Sequence, residues 1–342
     1  MKDIIGGKTG VSAPAVKWLV VDEESAGQRL DNFLMRHLKG VPKTHVYRII
    51  RSGEVRINKG RCSADSRVEA GDEVRVPPVR VSEKVLEKAA HPAPAREFPL
   101  LLEDDHLLAI DKPAGVAVHG GSGVSFGVIE QLRQARPQAK LLELVHRLDR
   151  ETSGILLVAK KRSALKNLQD QFRERETGKT YLALVQGEWP ARLKVIDQPL
   201  HKYLQADGER RVRVVGADDP QGMRSITLVK PSRILAMPKA LAGMGPAEAS
   251  LLEVTIKTGR THQIRVHLAA QGHPILGDDK YGDFELNKAL HPLGLRRMFL
   301  HAWRLQFSHP ASGERVELLA PLPPELHVFV DPTPTAHAPA PV

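Results

Sequence analysis

The sequence predicts an α+β chain: a main domain on a mixed, largely antiparallel sheet, and a small α/β module ahead of it. Three observations lead there. From about Phe98 to Val330, short Gly-bounded apolar runs alternate with only a few helical stripes, a pattern that favours antiparallel pairing over regular βαβ units. Residues 28 to about 77 carry two amphipathic stripes followed by short strands. Between the two regions, prolines sit among charged residues and alanines with no sustained period, as in a semi-extended linker. The expected division is a disordered stretch 1–17, a module 18–80, a linker 81–97, a main domain 98–330 and a Pro/Ala-rich disordered tail 331–342.

In the module, Leu30, Phe33, Leu34 and Leu38 mark one helix, and Val46, Ile49 and Ile50 a second that Gly53 ends. Val55-Arg56-Ile57-Asn58 reads as a short strand, and Glu73 to Val76 as another, closed by Pro77-Pro78. In the main domain, a strand from His106 to Ile110 stops at Lys112-Pro113. The apolar run Ile155 to Ala159 reads as a buried strand. A helix from about Ala164 to Arg175 puts Leu165, Leu168 and Phe172 on one face, and Lys179 to Val185 is a strand ended by Gly187. Glu253 to Lys257 is a further strand, which Thr258-Gly259 turns into a helix from about Arg260. The Ala/Gly/Pro/Met-rich stretch from Ile234 to Ala249 is expected to be a loop insertion.

Composition narrows the function. The 342 residues suit two domains, and 42% hydrophobic content supports globular folding. The formal net charge of +10 favours a polyanionic partner. It is concentrated: between Arg29 and Arg61 there are nine Lys/Arg against two acids, a net of +7, which suits phosphate neutralisation with counterion release. Arg29, Lys43, Arg48, Arg51 and Arg56 are the candidate contacts. The single cysteine, Cys62, precludes an internal disulfide and fits a reducing compartment. No apolar run has the length of a membrane span, so a cytoplasmic location is expected.

The most informative segment is His146-Arg147-Leu148-Asp149-Arg150-Glu151-Thr152-Ser153-Gly154. It sets one carboxylate between two arginines at the mouth of a strand. Nearby cations favour an ionised carboxylate, which can serve as nucleophile or base, and Arg147 and Arg150 suit phosphates. Tyr181, on the strand from Lys179, could stack on a base or move a proton. On the helix after Gly259, Ile264 and Leu268 take the core face, and His262 and Arg265 share another at i, i+3. A metal reading of His262, His267, His273 and His301 fails for want of an H-E-x-x-H spacing or a thiolate cluster. The strings Gly6-Gly7-Lys8-Thr9 and Gly178-Lys179-Thr180 lack the upstream glycine of a phosphate loop.

These motifs carry a family resemblance. The His146–Gly154 segment resembles the active-site stretch of the RluA-type pseudouridine synthases. The strand around Tyr181 and the string Thr258-Gly259-Arg260-Thr261-His262-Gln263-Ile264-Arg265-Val266-His267-Leu268 match two more of their motifs. Lys112-Pro113-Ala114-Gly115 resembles the family's first, mainly structural motif, and Gly277-Asp278…Tyr281-Gly282 and Leu300-His301-Ala302 look like turns and sheet edges framing the pocket. The module resembles an S4 RNA-binding domain through Arg29-Leu30-Asp31, Arg48 to Asn58 and Gly71 to Val74. A finer likeness, to RluC-type synthases of large-subunit ribosomal RNA, rests on Val41-Pro42-Lys43, Tyr47-Arg48-Ile49, Pro77 to Val81 and His119 to Gly123.

The resemblance implies isomerisation of specific uridines to pseudouridine in 23S ribosomal RNA or an assembly precursor. That reaction involves no redox change or hydrolysis and so needs no cofactor; no metal is expected, and a monomer is expected. It assigns Asp149 to catalysis, Tyr181 to the flipped base, and Arg265 to pairing with Asp149. Arg147 would fill the gap left by the flipped nucleotide, with His146, Arg150, Arg260 and His262 as further substrate contacts. Two other classes share some of these features. An RNA-binding assembly factor would not need Asp149, and an RNA glycoside hydrolase would need a second carboxylate, for which Glu151 is the candidate.

Overall fold

A computed structural model describes residues 15–38, 40–79, 92–121, 124–205 and 208–331. Most of the expected N-terminal disordered stretch, most of the linker, all but the first residue of the tail, the Gly6–Thr9 string and Ser122-Gly123 lie outside the described residues. The chain divides into two units, Met1–Pro92 and Ala93–Val342.

The first unit is a four-stranded sheet backed by two helices. Its elements are β1 (Lys17–Val20), α1 (Leu30–His37), α2 (Lys43–Arg51), β2 (Arg56–Ile57), β3 (Gly60–Arg61) and β4 (Glu73–Val76). The sheet order is β1-β4-β2-β3. Both helical stripes face the core as expected: Leu30, Phe33, Leu34, Val46, Ile49 and Ile50 are buried against Val55, Val68, Val74 and Val76. The expected boundary at residue 17 falls inside β1, where Lys17 pairs with Val76. The strand was hidden in the sequence because its outward residues, Trp18 and Val20, are also apolar, so the usual polar alternation is missing.

The second unit carries the mixed, largely antiparallel sheet that the sequence predicts. Its strands are β5 (Leu100–Glu103), β6 (Leu107–Lys112), β7 (Glu143–Leu144), β8 (Ser153–Ala159), β9 (Gly178–Gln186), β10 (Val195–Asp197), β11 (Leu200–Leu204), β12 (Arg210–Val214), β13 (Ile226–Ala236), β14 (Glu248–Ile256), β15 (Leu300–Ser308) and β16 (Arg315–Leu319). The helices are α3 (Val128–Ala135), α4 (Arg162–Glu174), α5 (Gln263–Ala270), α6 (Phe284–Leu290) and α7 (Pro324–Val330). The main path runs β10-β13-β14-β9-β15-β8-β6-β5, with β16 on β15 and β7 on β8; β11 and β12 form a separate hairpin. Among these pairs only β8 with β15 is parallel in the described residues.

Every residue of β8 is buried, as its unbroken apolar run requires for a strand covered on both faces. Two expectations need correction. The stretch 234–249 is a loop only at its centre: Ile234 to Ala236 pair with Ser250 to Glu248 as a hairpin extension, and the connection between them carries a short 3-10 turn at Lys239–Leu241, with Leu241 buried in the core. Its Ala- and Pro-rich composition masked the pairing because little side-chain alternation is left to read. The helix expected from about Arg260 begins at Gln263. The Gln263 side chain folds back and accepts from Thr258 Oγ1 (2.7 Å) and Arg260 N (3.1 Å), which holds the preceding loop out of the helix.

The parallel contact fixes the strand entry next to Asp149. Gly154 has φ +107°, and an added Cβ would stand 2.3 Å from the Ala302 carbonyl oxygen. Only glycine satisfies both conditions. Gly154→Ala should therefore cost on the order of 2–4 kcal/mol in chemical denaturation; a wild-type denaturation midpoint would contradict this close approach.

Beside it, Arg297 donates to Ser153 Oγ (2.8 Å), the Ser153 hydroxyl meets His301 Nδ1 (2.8 Å), and His301 Nε2 donates to the Ala320 carbonyl (3.2 Å). Burial pushes His301 down to about 4, against the opposing pull of the Ala320 hydrogen bond. A depressed base leaves the unfolded state with more bound protons between its two pKa values. Stability should then be full above pH 6.5 and fall as the pH drops toward 4, by on the order of 3 kcal/mol from His301. Thermal melts should flatten over this interval in His301→Gln; an unchanged slope would show that His301 is not held neutral.

Candidate active site

Asp149 sits in the loop before β8, and the loop is pinned from beneath. Lys112, the last residue of β6, is fully buried; its ammonium donates to the carbonyls of Pro113, Val116 and Arg150 at 2.8–3.1 Å. Burial, with the Arg297 charge, lowers its pKa to about 7. Arg297 also donates to the Glu151 carbonyl (3.3 Å). The Lys112 and Arg297 side chains thus hold the backbone on the C-terminal side of Asp149 through its carbonyls.

Arg147 and Asp149 turn to one side of this extended segment, and Leu148 turns to the core. The same alternation sends His146 inward. It stacks on Phe172 (4.7 Å, 15°), and its Nε2 accepts from Leu157 N (3.1 Å). Burial pushes its pKa to about 4. His146 lines neither the inner pocket nor the outer basin around Asp149, so the structure does not bring this expected contact to them.

The inner pocket, of about 120 Å³, is lined by Arg147, Asp149, Tyr181, Arg260, His262 and Arg265 among others. A wider basin of about 460 Å³ shares Arg147, Asp149, His262 and Arg265 and adds Arg150, Glu151, Asp279 and Lys280. Asp149 lies where the two meet. Tyr181, on β9 between β14 and β15, packs against two core clusters. Burial, then the Asp149 charge, raises its pKa well above the usual phenol range, so it is a neutral hydroxyl at physiological pH. Arg150 is exposed and paired with Glu151 (2.8 Å). Arg260 donates to the Arg224 carbonyl (3.3 Å) at the pocket rim.

Arg265 is 4% exposed and reaches three carboxylates. Its Nη1 lies 3.4 Å from Asp149 Oδ2, as the sequence leads one to expect. Its main partner is another acid. Nε and Nη2 grip Asp278 bidentately at 2.7 and 2.6 Å, and Asp279 stands at 3.4 Å. Burial opposes the charge on Arg265, but Asp278 first and Asp149 after it outweigh that and raise its pKa. Burial likewise opposes the Asp278 anion; Arg265 and the N–H groups of Lys280 and Tyr281 hold it below the usual carboxylate range. The guanidinium carbon also lies 5.2 Å from the Tyr281 ring centroid.

His262 enters from a left-handed backbone position (φ 52°). Its Nδ1 is 2.8 Å from Tyr281 Oη, which accepts from Val212 N (3.1 Å). The other ring nitrogen, Nε2, lies 3.8 Å from Asp149 Oδ2. Asp278, Tyr281, Lys112 and Arg297 were not among the site residues expected from sequence. The Gly277-Asp278 turn was visible as a landmark; its acid, 13 residues beyond Arg265, was the available signal.

The other expected residues divide. Lys43, Arg48 and Arg51 lie exposed on or at the start of α2. Arg29 is engaged with Asp31 (2.8 Å), which Tyr47 also contacts. His267 binds Thr227 Oγ1 and the Gln198 carbonyl, and His273 the Gln186 carbonyl; among the described residues no His/Cys/Asp/Glu group is placed to hold a metal. Lys179, of the second rejected phosphate-loop string, lies over the Phe172 ring within β9.

An RNA pseudouridylate synthase family model matches residues 106–270, and an S4 domain model matches residues 28–74. The chain is 51% identical to the ribosomal large subunit pseudouridine synthase C of Pasteurella multocida, covering 91% of this chain and 92% of that protein. It is 50% identical to the Escherichia coli protein of the same name, covering 90% and 94%. Human RNA pseudouridylate synthase domain containing 1 aligns in structure with a TM-score of 0.54 at 28% identity, over 69% of this chain and 88% of that one. The chain belongs to the RluA-type RNA pseudouridine synthases, with an N-terminal S4 domain. It is an RNA pseudouridine synthase.

The bidentate pair makes a specific energetic prediction. Arg265→Leu strands the Asp278 charge, at a cost of about 3–5 kcal/mol. Adding Asp278→Asn should recover much of that loss, and adding Asp149→Asn little, because the Asp149 side chain is 22% exposed and that of Asp278 is 1% exposed. Urea denaturation of the two double variants checks this; greater rescue by Asp149→Asn would make Asp149 the principal partner.

Proposed function

We propose that the protein converts specific uridines of 23S ribosomal RNA to pseudouridine, with Asp149 as the catalytic carboxylate and the target base flipped into the inner pocket. The carrying observation is Asp149 at the junction of two cavities, facing Arg265, His262 and Tyr181. The names of the relatives above support large-subunit RNA as the substrate.

The reaction breaks the bond between uracil and its ribose, turns the base, and rejoins it through C5. Electrons and atoms balance within the nucleoside, so no redox partner or hydrolytic water is consumed. A stacked uridine must first leave its helix, at a cost of a few kcal/mol. Arg147, exposed at the rim, suits the vacated space, and Arg150 and Arg260 suit flanking phosphates. In the pocket Tyr181 offers a face for stacking and a neutral hydroxyl that donates. The raised pKa argues against a phenolate base. Asp149, oriented by Arg265 Nη1 and faced by His262 Nε2, would attack the ribose carbon or stabilise a glycal-type intermediate.

Asp149→Asn should lower pseudouridine formation on 23S fragments by at least about 10³-fold and leave RNA affinity within a few-fold. The assay reads pseudouridine and free uracil together. Wild-type turnover in the variant would remove Asp149 from the chemistry, and free uracil as the main product would replace isomerisation by hydrolysis.

A further inference from the structure

The first unit's sheet has one face turned away from its own helices. Register places one row of residues straight across its four strands. Trp18 on β1 pairs with Arg75 on β4, Arg75 with Arg56 on β2, and Arg56 with Arg61 on β3. Directly paired residues point to the same face of a sheet. The neighbouring row, Leu19, Val74, Ile57 and Gly60, takes the opposite face, where Val74 is fully buried in the core. The Trp18 row therefore faces outward.

This row is accessible. Trp18 is 51% exposed, with Val16 at 40% and Val20 at 66% beside it. Arg61 is exposed, and Arg56 and Arg75 are partly so. Among the described residues no carboxylate pairs with any of the three arginines. Arg75 spends one N–H on the Glu54 carbonyl (2.7 Å), which sets the guanidinium's position and leaves its other donors. The acids nearby are Glu73, across from Val20, and Glu54, which accepts from the Ser52 hydroxyl. With strands about 4.8 Å apart, the row presents an indole and three guanidiniums along roughly 14 Å.

We propose that this face is a second RNA-contact surface, on which Trp18 stacks against an unpaired base and Arg75, Arg56 and Arg61 hold phosphates of the same strand. An aromatic platform flanked by cations is the recurring chemistry of single-strand binding. An apolar protein partner would have to bury three unpaired guanidiniums to cover the tryptophan, which is costly. The surface is separate from the exposed cations of α2, so the module would grip RNA on two sides. The inference rests on the chain acting on RNA.

The test titrates the full chain into a fluorescein-labelled short oligouridylate and a labelled blunt RNA duplex of equal length, following the anisotropy of the RNA label. Trp18→Ala should weaken oligouridylate binding by about 5- to 100-fold and change duplex binding less than twofold, with Trp18→Phe recovering most of the loss. Arg75→Gln should lower the slope of log K against log salt by about 0.7 on the single strand. Unchanged oligouridylate affinity in Trp18→Ala, or an equal loss on both probes, would overturn the proposal. So would loss of self-association in Trp18→Ala by sedimentation, which would assign the face to a second copy. Pseudouridine formation by the wild-type chain is read separately. If it occurs while Trp18→Ala binds normally, only the sheet-face proposal falls; if it does not occur, the functional reading falls.

Discussion

The bidentate grip of Asp278 on Arg265 is the interaction on which the cleft depends. A guanidinium buried to this degree is stable only with its charge matched, and Asp278 supplies the match at 2.6–2.7 Å while itself receiving two backbone N–H groups. The pair uses Nε and Nη2, which leaves Nη1 fixed in direction toward Asp149 at 3.4 Å. Asp149 need not pay for the burial of Arg265, so it can remain 22% exposed and open to a ligand. One acid neutralises the arginine, and the other is oriented by it.

The loop carrying Asp149 is constrained in a complementary way. Lys112 and Arg297 satisfy the carbonyls of Arg150 and Glu151. Gly154 then lets β8 approach β15 closely enough for the parallel contact to begin at Ser153. Tyr281 extends the order to His262 by holding Nδ1 at 2.8 Å, which turns Nε2 toward Asp149. Backbone and side chain are thus held by different groups, which is the arrangement expected of a preorganised site.

Much of this was legible in the sequence, and the gaps have physical causes. The nine residues from His146 to Gly154 located the central carboxylate because charge, turn and buried strand follow one another without interruption. The helical stripes of the first unit were legible because period 3.6 survives in Leu30, Phe33, Leu34 and Leu38. Asp278 was harder: its partner lies 13 residues away across an irregular turn, where no period links them. His146 looked like a site residue by adjacency, but extended backbone alternates its side chains and turned it to Phe172. β1 and the hairpin extension beyond Ile234 were missed for one reason, since neither alternates polar with apolar residues.

The central claim is that the Asp278–Arg265 clamp positions Asp149 without touching RNA. Its most direct test is the single-turnover rate of pseudouridine formation by Asp278→Asn, measured alongside RNA affinity. A displacement of about 1 Å at a reacting group costs on the order of 10²-fold in rate. The account predicts a loss of that size with the RNA dissociation constant within about twofold of wild type and partial retention of the fold at low temperature. A wild-type single-turnover rate in folded Asp278→Asn would contradict it.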